Sequence, residues 1–288
     1  MQVDTLRDPG ELLEHAQPFL MADEARHNLA LGILGFARDH PDVYPELEGW
    51  IVRDDGQVAG VAVRTAPYNL ILARPVDDRA LEALAASISS ELPGVVGAVP
   101  EVDGFTEAWS ARYDVTATVR LEQRIYALER LLAPHPTGGA SHLAGVDDRN
   151  LAIAWMREFT AEAMHGDDAD AGRIERSVDA RLDPASAGGI VLWEVEVEGE
   201  PVSLAAFGGP TPNGMRIGPV YTPPEHRGRG YGSAVTAAAS GLVLDRGMRF
   251  CFLYTDLANP TSNGIYMRIG YEPVCDSREL AFSPPRAD

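Results

Sequence analysis

The segment Val220-Tyr221-Thr222-Pro223-Pro224-Glu225-His226-Arg227-Gly228-Arg229-Gly230-Tyr231-Gly232-Ser233 constrains this chain more than any other. An extended run ends at Tyr221, a Pro-Pro turn follows, and Arg227 to Gly232 hold three glycines and two arginines just before an Ala-rich helix. Glycine admits positive φ and lets a ligand approach the backbone closely. A helix N-terminus leaves N–H groups unpaired and carries partial positive charge, so it suits an anion. Val235, Ala238, Ala239 and Leu242 then recur at helical spacing and give the helix one apolar face. A simple turn needs neither that many glycines nor paired cations. The residues predict a strand–loop–helix unit built to hold a pyrophosphate.

Two common versions of such a unit are excluded. A P-loop ends in Gly-Lys-Ser/Thr, and all 24 basic residues here are Arg. The missing lysine also removes Schiff-base chemistry. A dinucleotide fingerprint starting at Gly228 and Gly230 puts Ser233 where Gly or Ala is required, and it lies late in the chain.

The wider chain reads as two similar halves. Ala133 to Ser141 combines Pro and Gly and is the linker candidate. Before it, Gly49–Arg53 and Val58–Arg64 are read as a hairpin through Asp54-Asp55-Gly56. A strand at Asn69–Ala73, a helix at Asp78–Leu92, a strand at Val95–Ala98, a helix at Phe105–Tyr113 and an extended run at Ala117–Leu128 follow. After it come two helices, Asp148–Met164 and Ala171–Leu182, and a hairpin of Ile190–Val197 with Pro201–Phe207. Then follow a strand at Met215–Tyr221, a helix at Ser233–Arg246, a strand at Arg249–Tyr254, a helix at Pro260–Ile269, and strand-like segments at Tyr271–Val274 and Glu279–Phe282. The order hairpin, strand, helix, strand, helix, strand occurs twice, which points to duplication.

At this point a resemblance applies. Arg227 to Gly232 is similar to the Arg/Gln-x-x-Gly-x-Gly/Ala loop of GNAT-type N-acetyltransferases, and Val220 to Pro224 resembles the strand and turn leading into it. A second segment, Asn259-Pro260-Thr261-Ser262-Asn263-Gly264-Ile265-Tyr266-Met267-Arg268-Ile269-Gly270-Tyr271, resembles the family's Asn, Ala/Ser, Tyr and Gly-Phe/Tyr pattern. The match covers residues 145–285; the first half matches only in element order. The resemblance implies an α+β fold of two tandem GNAT-like domains, each a mixed, mostly antiparallel sheet flanked by helices. A degenerate domain at 1–132, a linker at 133–141 and a catalytic domain at 142–288 are expected.

It also implies an acetyl-CoA-dependent N-acetyltransferase acting by direct attack in a ternary complex. Arg227, Gly228, Arg229, Gly230, Tyr231, Gly232 and Ser233 would cradle the CoA pyrophosphate. Pro219, Val220, Tyr221 and Thr222 would line the pantetheine arm on a strand splayed from its neighbour, and one backbone N–H would polarise the thioester carbonyl. Tyr266 would protonate the departing thiolate, since an ordinary phenol holds its proton at neutral pH. Asn259 reads as a helix N-cap before Pro260, as a CoA contact, or as both; Ser262 shares a helix face with Tyr266. No metal is implied. The alternative is a non-catalytic acyl-CoA sensor.

The general base is not singled out. Glu194, Glu196 and Glu198 alternate along one strand face, which is either solvated or functional. His165, Asp167, Asp168 and Asp170 form an acidic loop that either attracts a cationic amine or simply meets water. His226 reads as a turn residue. In the first half, Ala73-Arg74-Pro75-Val76-Asp77-Asp78 has no glycine, and its acidic pair repels phosphate. That half is expected to lack CoA binding and to shape the acceptor pocket.

Charge and composition narrow the partners. The net charge of −19 disfavours nucleic acid. An amine on a small molecule or peptide is the expected acceptor. Met1 to Leu20 carries Asp4, Arg7, Asp8, Glu11 and Glu14 and no apolar run of the signal-peptide kind. No stretch of about 18 apolar residues occurs, so no membrane and a cytoplasmic location are expected. Cys251 and Cys275 read as small buried side chains, too few for a disulfide framework or a cysteine zinc site.

Overall fold

The structure is a computed structural model and describes residues 1–40, 43–163, 171–195 and 199–284. The chain forms two compact units that do not follow the linker. The first comprises Met1–Tyr126, Tyr254–Asn259 and Pro273–Asp288; the second comprises Ala127–Leu253 and Pro260–Glu272.

The first unit is a sheet covered by helices on both faces. Its strands are β1 (Gln2–Leu6), β2 (Leu47–Asp54), β3 (Gln57–Thr65), β4 (Leu70–Leu72), β5 (Gly94–Ala98), β6 (Thr116–Leu128) and β12 (Glu272–Ser283). They lie in the order β1-β2-β3-β4-β5-β12-β6. Neighbours are antiparallel from β1 to β4 and from β5 to β12, while β4 and β5 run parallel. The β2–β3 hairpin turns on Asp55 (φ 47°) and Gly56 (φ 81°), the left-handed pair that a tight two-residue loop requires.

Side-chain alternation divides this unit's core in two. Trp50, Val52, Leu70 and Leu72 face α3 (Asp78–Ser87) and α4 (Glu101–Tyr113), meeting Leu81, Leu84, Phe105 and Trp109. Ile51, Val61, Val63 and Ile71 face α1 (Pro9–Leu20) and α2 (Asn28–Asp39), meeting Leu12, Leu20, Leu31 and Leu34. The start of α3 carries its own anion. Asp77 caps α3, its carboxylate accepting from the Arg79 N–H at 3.0 Å and pairing with the Arg79 guanidinium at 2.7 Å.

The second unit holds β7 (Ala140–Leu143), β8 (Gly189–Glu194), β9 (Pro201–Gly208), β10 (Gly214–Tyr221) and the start of β11 (Phe250–Asp256). Pairing is antiparallel from β7 to β10 and parallel between β10 and β11. Ile190, Leu192, Leu204, Ala206 and Tyr221 pack against α5 (Arg149–Ala163) and α6 (Ala171–Leu182) through Ile153, Trp155, Met156 and Val178. Helix α7 (Tyr231–Asp245) packs on β8, β9 and β10, and α8 (Pro260–Arg268) packs beside α7.

The repeated element order is present as β2-β3-β4-α3-β5-α4-β6 and β8-β9-β10-α7-β11-α8-β12. The two C-terminal strand-like segments are one strand, β12, and it pairs with β5 from Ser277↔Ala98 to Ala281↔Gly94. The last residues of the expected linker begin β7, and the Gly138 carbonyl accepts from Trp193 Nε1–H at 3.1 Å.

Candidate active site

Strand β10 sets the site. It pairs with β11 only at Gly214↔Phe250, Met215↔Cys251 and Arg216↔Phe252. Beyond Arg216 the register with β9 also shifts, between Ile217 and Val220, through Gly218 (φ 137°) and the cis Pro219. Pro219, Val220 and Thr222 are half-buried, while Tyr221 is buried on the α5 face. The parallel ladder therefore opens at Ile217, and the next residues of β10 have no β11 partner among the described residues.

The loop follows directly. A short 3-10 turn at Pro224–His226 leads to Arg227, Gly228 and Gly230. Gly228 (φ 77°) and Gly230 (φ 87°) both take the left-handed conformation that favours glycine. Gly230 is the N-cap of α7 and offers no side-chain cap, so the first-turn N–H groups of Tyr231, Gly232 and Ser233 lack a carboxylate or hydroxyl competitor. The loop is braced from below: Thr137 Oγ1 donates to Arg229 O at 3.0 Å, and Ala234 N–H donates to Gly230 O at 3.0 Å. Ser203 Oγ donates to Tyr221 O at 3.0 Å and lies 2.8 Å from Thr222 Oγ1. The outcome is a backbone concavity of fixed shape at a positive helix end.

The two loop arginines differ. Arg227 donates from Nε to Thr222 O at 2.8 Å and makes a two-pronged contact with Glu162 on α5, 2.8 Å to each carboxylate oxygen. Its guanidinium also lies 5.7 Å from the centre of the Tyr221 ring. Arg229 is exposed on the loop. Tyr221 donates to Glu162 Oε1 at 3.3 Å. Loss of solvent, then the nearby carboxylates Glu158 and Glu162, push its phenol well above the ordinary range. Glu158 and Glu162 have no motif around them, and nothing in the sequence marked them.

Tyr266 lies on α8. It is half-buried, and the dense surroundings of its hydroxyl push it up to about 12, with a hydrogen bond from Ser262 opposing the rise. Its ring meets that of Tyr271 edge-on at 6.0 Å, and the Tyr271 hydroxyl lies 2.8 Å from Ser240 Oγ on α7. Tyr266 is thereby tied to the middle of α7, nine residues past Tyr231, roughly 14 Å along the helix axis. Asn259 belongs to the first unit, where its N–H donates to Asp256 O at 3.0 Å. Cys251 is fully buried and Cys275 half-buried, both as free thiols.

Beside the loop is a groove of about 640 Å³ lined by Trp155, Glu158, Glu200, Tyr221, Glu225 and His226, among others. Its carboxylates suit a cationic group. Glu194 does not join it: its carboxylate lies 3.7 Å from His142 Nδ1 on the β7–β8 pair. Glu196, Glu198, His165, Asp167, Asp168 and Asp170 lie outside the described residues. Among the described residues no group of three His, Cys, Asp or Glu is arranged to hold a metal ion, and no helix is long and apolar enough to cross a membrane.

Comparison with known proteins bears on this geometry. Residues 197–279 match the family model described as FR47-like protein. The whole chain resembles an acetyltransferase of the GNAT family from Colwellia psychrerythraea, with 11% identity, 99% of this chain and 100% of that one covered, and a TM-score of 0.60. The chain has the GNAT fold. A Drosophila protein matches over 98% of both chains with 11% identity and a TM-score of 0.69. A tandem GNAT protein from the clavulanic acid biosynthesis pathway matches over 100% of both chains with 13% identity and a TM-score of 0.56. No curated protein matches in sequence. The GNAT fold in tandem accounts for the repeated element order, and the FR47-like segment contains the opened strand, the glycine loop and Tyr266.

Proposed function

We propose that the second unit is an acetyl-CoA-dependent N-acetyltransferase that passes the acetyl group directly to an amine. The observation that carries this reading is the opened β10–β11 ladder ending in a glycine loop at the N-terminus of α7. Acetyl-CoA supplies the activated acetyl thioester. The N–H groups of Tyr231, Gly232 and Ser233, with Gly228 and Gly230 allowing close approach, hold the pyrophosphate. Arg229 adds a cationic donor at the rim. Arg227 acts from behind, fixing Thr222 and the turn through Glu162.

Pro219, Val220 and Thr222 line the arm, and a backbone N–H freed where β10 leaves β11 polarises the thioester carbonyl. Tyr266 holds its proton at working pH and donates to the leaving sulfur. The separation of roughly 14 Å between the helix start and the region of Tyr266 is the kind of span a long arm must bridge. The amine loses its proton to solvent, and the carboxylates of the adjoining groove draw a cationic acceptor toward the site. The first unit takes no part in CoA binding, because Asp77 occupies its anion position.

The test is release of CoA thiol from acetyl-CoA across a panel of small amines and peptide N-termini. Acceptor-dependent release that falls in Tyr266→Phe supports the reading. Tight acetyl-CoA binding with no release on any amine assigns the unit to acyl-CoA sensing instead.

A further inference from the structure

Arg181 and Arg216 of the second unit stand apart from Arg149, Arg157 and Arg227. Arg149, Arg157 and Arg227 each face a carboxylate at 2.5–2.8 Å. Among the described residues neither Arg181 nor Arg216 takes part in any ion pair. Arg181 lies in the last turn of α6, and Arg216 lies on β10 directly opposite Gly208 of β9. Directly opposed residues of an antiparallel pair share a face of the sheet. A Cβ placed on Gly208 would lie 3.8 Å from Arg181 Nε and Nη2, and one placed on Gly209 would collide with Arg216 Nη2. The two guanidiniums therefore flank Gly208-Gly209, where the absence of side chains leaves room.

The local chemistry calls for an anion. Arg181 donates from Nη1 to Ser177 O at 2.9 Å and to Ser177 Oγ, yet its Nε is buried and has no partner. A buried donor left unpaired is costly, and more so when it is charged. Burial, then the neighbouring Arg216 charge, lowers Arg181 to about 10. An oxyanion placed here would accept from the unpaired Nε–H and from Arg216, in the forked geometry that guanidinium groups favour.

Position adds a second argument. Arg216 is the last residue of β10 paired with β11, so it marks the apex of the opening. If the pyrophosphate sits at Arg227–Ser233 and the arm descends past Thr222, Val220 and Pro219, the thioester points toward that apex. We propose that Arg181 and Arg216 form an anion site that takes a carboxylate or phosphate group on the acceptor, so that the preferred substrates are amines carrying one such group. The assignment to the acceptor rests on the acetyltransferase reading; the anion site itself does not.

The experiment titrates acetate and inorganic phosphate by calorimetry into the full chain, Arg216→Gln and Gly230→Asp. Phosphate also suits the glycine loop, and Gly230→Asp removes that contribution. The expected result is that Gly230→Asp retains anion binding, while Arg216→Gln weakens it by about tenfold or more, with the stronger of the two probes identifying the group. Anion affinity unchanged in Arg216→Gln, or absent from Gly230→Asp, overturns the site.

A second measurement compares transfer to an amino acid with transfer to its amide. Arg216→Gln should raise KM for the amino acid alone and leave acetyl-CoA affinity unchanged. An equal rise for both overturns the acceptor assignment. If the wild-type chain fails to bind acetyl-CoA, the acetyltransferase reading falls while the anion titration still decides the site.

Discussion

Replacing Tyr266 with Phe removes one hydroxyl and keeps the ring that packs against Tyr271. The phenol is pushed up to about 12, mainly by burial. A thiol of ordinary acidity titrates near about 8.5, so full proton transfer from this phenol is uphill by roughly 3.5 pKa units, or about 5 kcal/mol. In the proposed mechanism Tyr266 would therefore act chiefly as a hydrogen-bond donor that strengthens as negative charge builds on sulfur. Loss of one such donor costs about 10²–10³ in kcat, or about 3–4 kcal/mol. Acetyl-CoA affinity should change little, the signature of an interaction made mostly in the transition state.

The pH dependence follows from the same shift. Burial favours the neutral phenol, so with a value near 12 only about 0.1% is ionised at pH 9. Any basic limb below pH 10 in the wild-type kcat profile must then belong to another group, and Tyr266→Phe should lower the whole profile without changing its shape. Stopped-flow thiol release from pH 6 to pH 10 measures both effects. An unchanged kcat in Tyr266→Phe, or the disappearance of a basic limb near pH 9–10, would remove Tyr266 from this role.

Gly230→Asp places a carboxylate and a side chain at a left-handed position facing the α7 terminus, and acetyl-CoA binding should be abolished. Gly230→Ala meets nothing closer than Thr137 at 3.8 Å, so strain alone should cost about 1–2 kcal/mol in a urea titration; a neutral result would show that the loop relaxes. The Arg227–Glu162 pair is about half exposed, so a double-mutant cycle on stability should give coupling of about 0.2–1 kcal/mol. A coupling several times larger would mean the pair is shielded from solvent. His27 donates Nδ1–H to Leu20 O at 2.8 Å and accepts the Arg74 N–H at Nε2, 3.0 Å away. Burial lowers its pKa below the ordinary 6.5, outweighing the Leu20 hydrogen bond and the Asp23 and Glu101 charges. The unfolded chain therefore binds the proton first, and the first unit should lose stability as pH falls below about 6.5 and show no His27 effect above it. His27→Gln should flatten that slope in urea midpoints between pH 8 and pH 5, and an unchanged slope would assign it to other groups.

The parts of the fold legible in the sequence are those set locally. The loop was readable because positive φ at Gly228 and Gly230 selects glycine, and the β2–β3 hairpin because Asp55-Gly56 selects its turn. Helices α5, α6 and α7 and strands β8 to β10 fall within a few residues of their periodic patterns. The sequence reading leaves out the N-terminal strand β1 and helices α1 and α2, although Leu12, Leu20, Leu31 and Leu34 of those helices line one of the first unit's two core clusters. The pairing of β12 with β5 was equally hidden, because nothing in its own residues names a partner some 180 positions earlier. At the site, the contacts of Glu162 with Arg227 and Tyr221 depend on how α5 lies across β10, and the Arg181–Arg216 pair depends on strand register. Sequence spacing carries neither.

Calorimetric titration of acetyl-CoA into the full chain and into Gly230→Asp, with CoA and NADH as controls, decides whether the glycine loop at α7 holds CoA. The expected result is saturable micromolar binding of acetyl-CoA and CoA to the wild-type chain, none of NADH, and none of any of them to the variant. Absence of acetyl-CoA binding to the wild-type chain, or equal binding to Gly230→Asp, would contradict it.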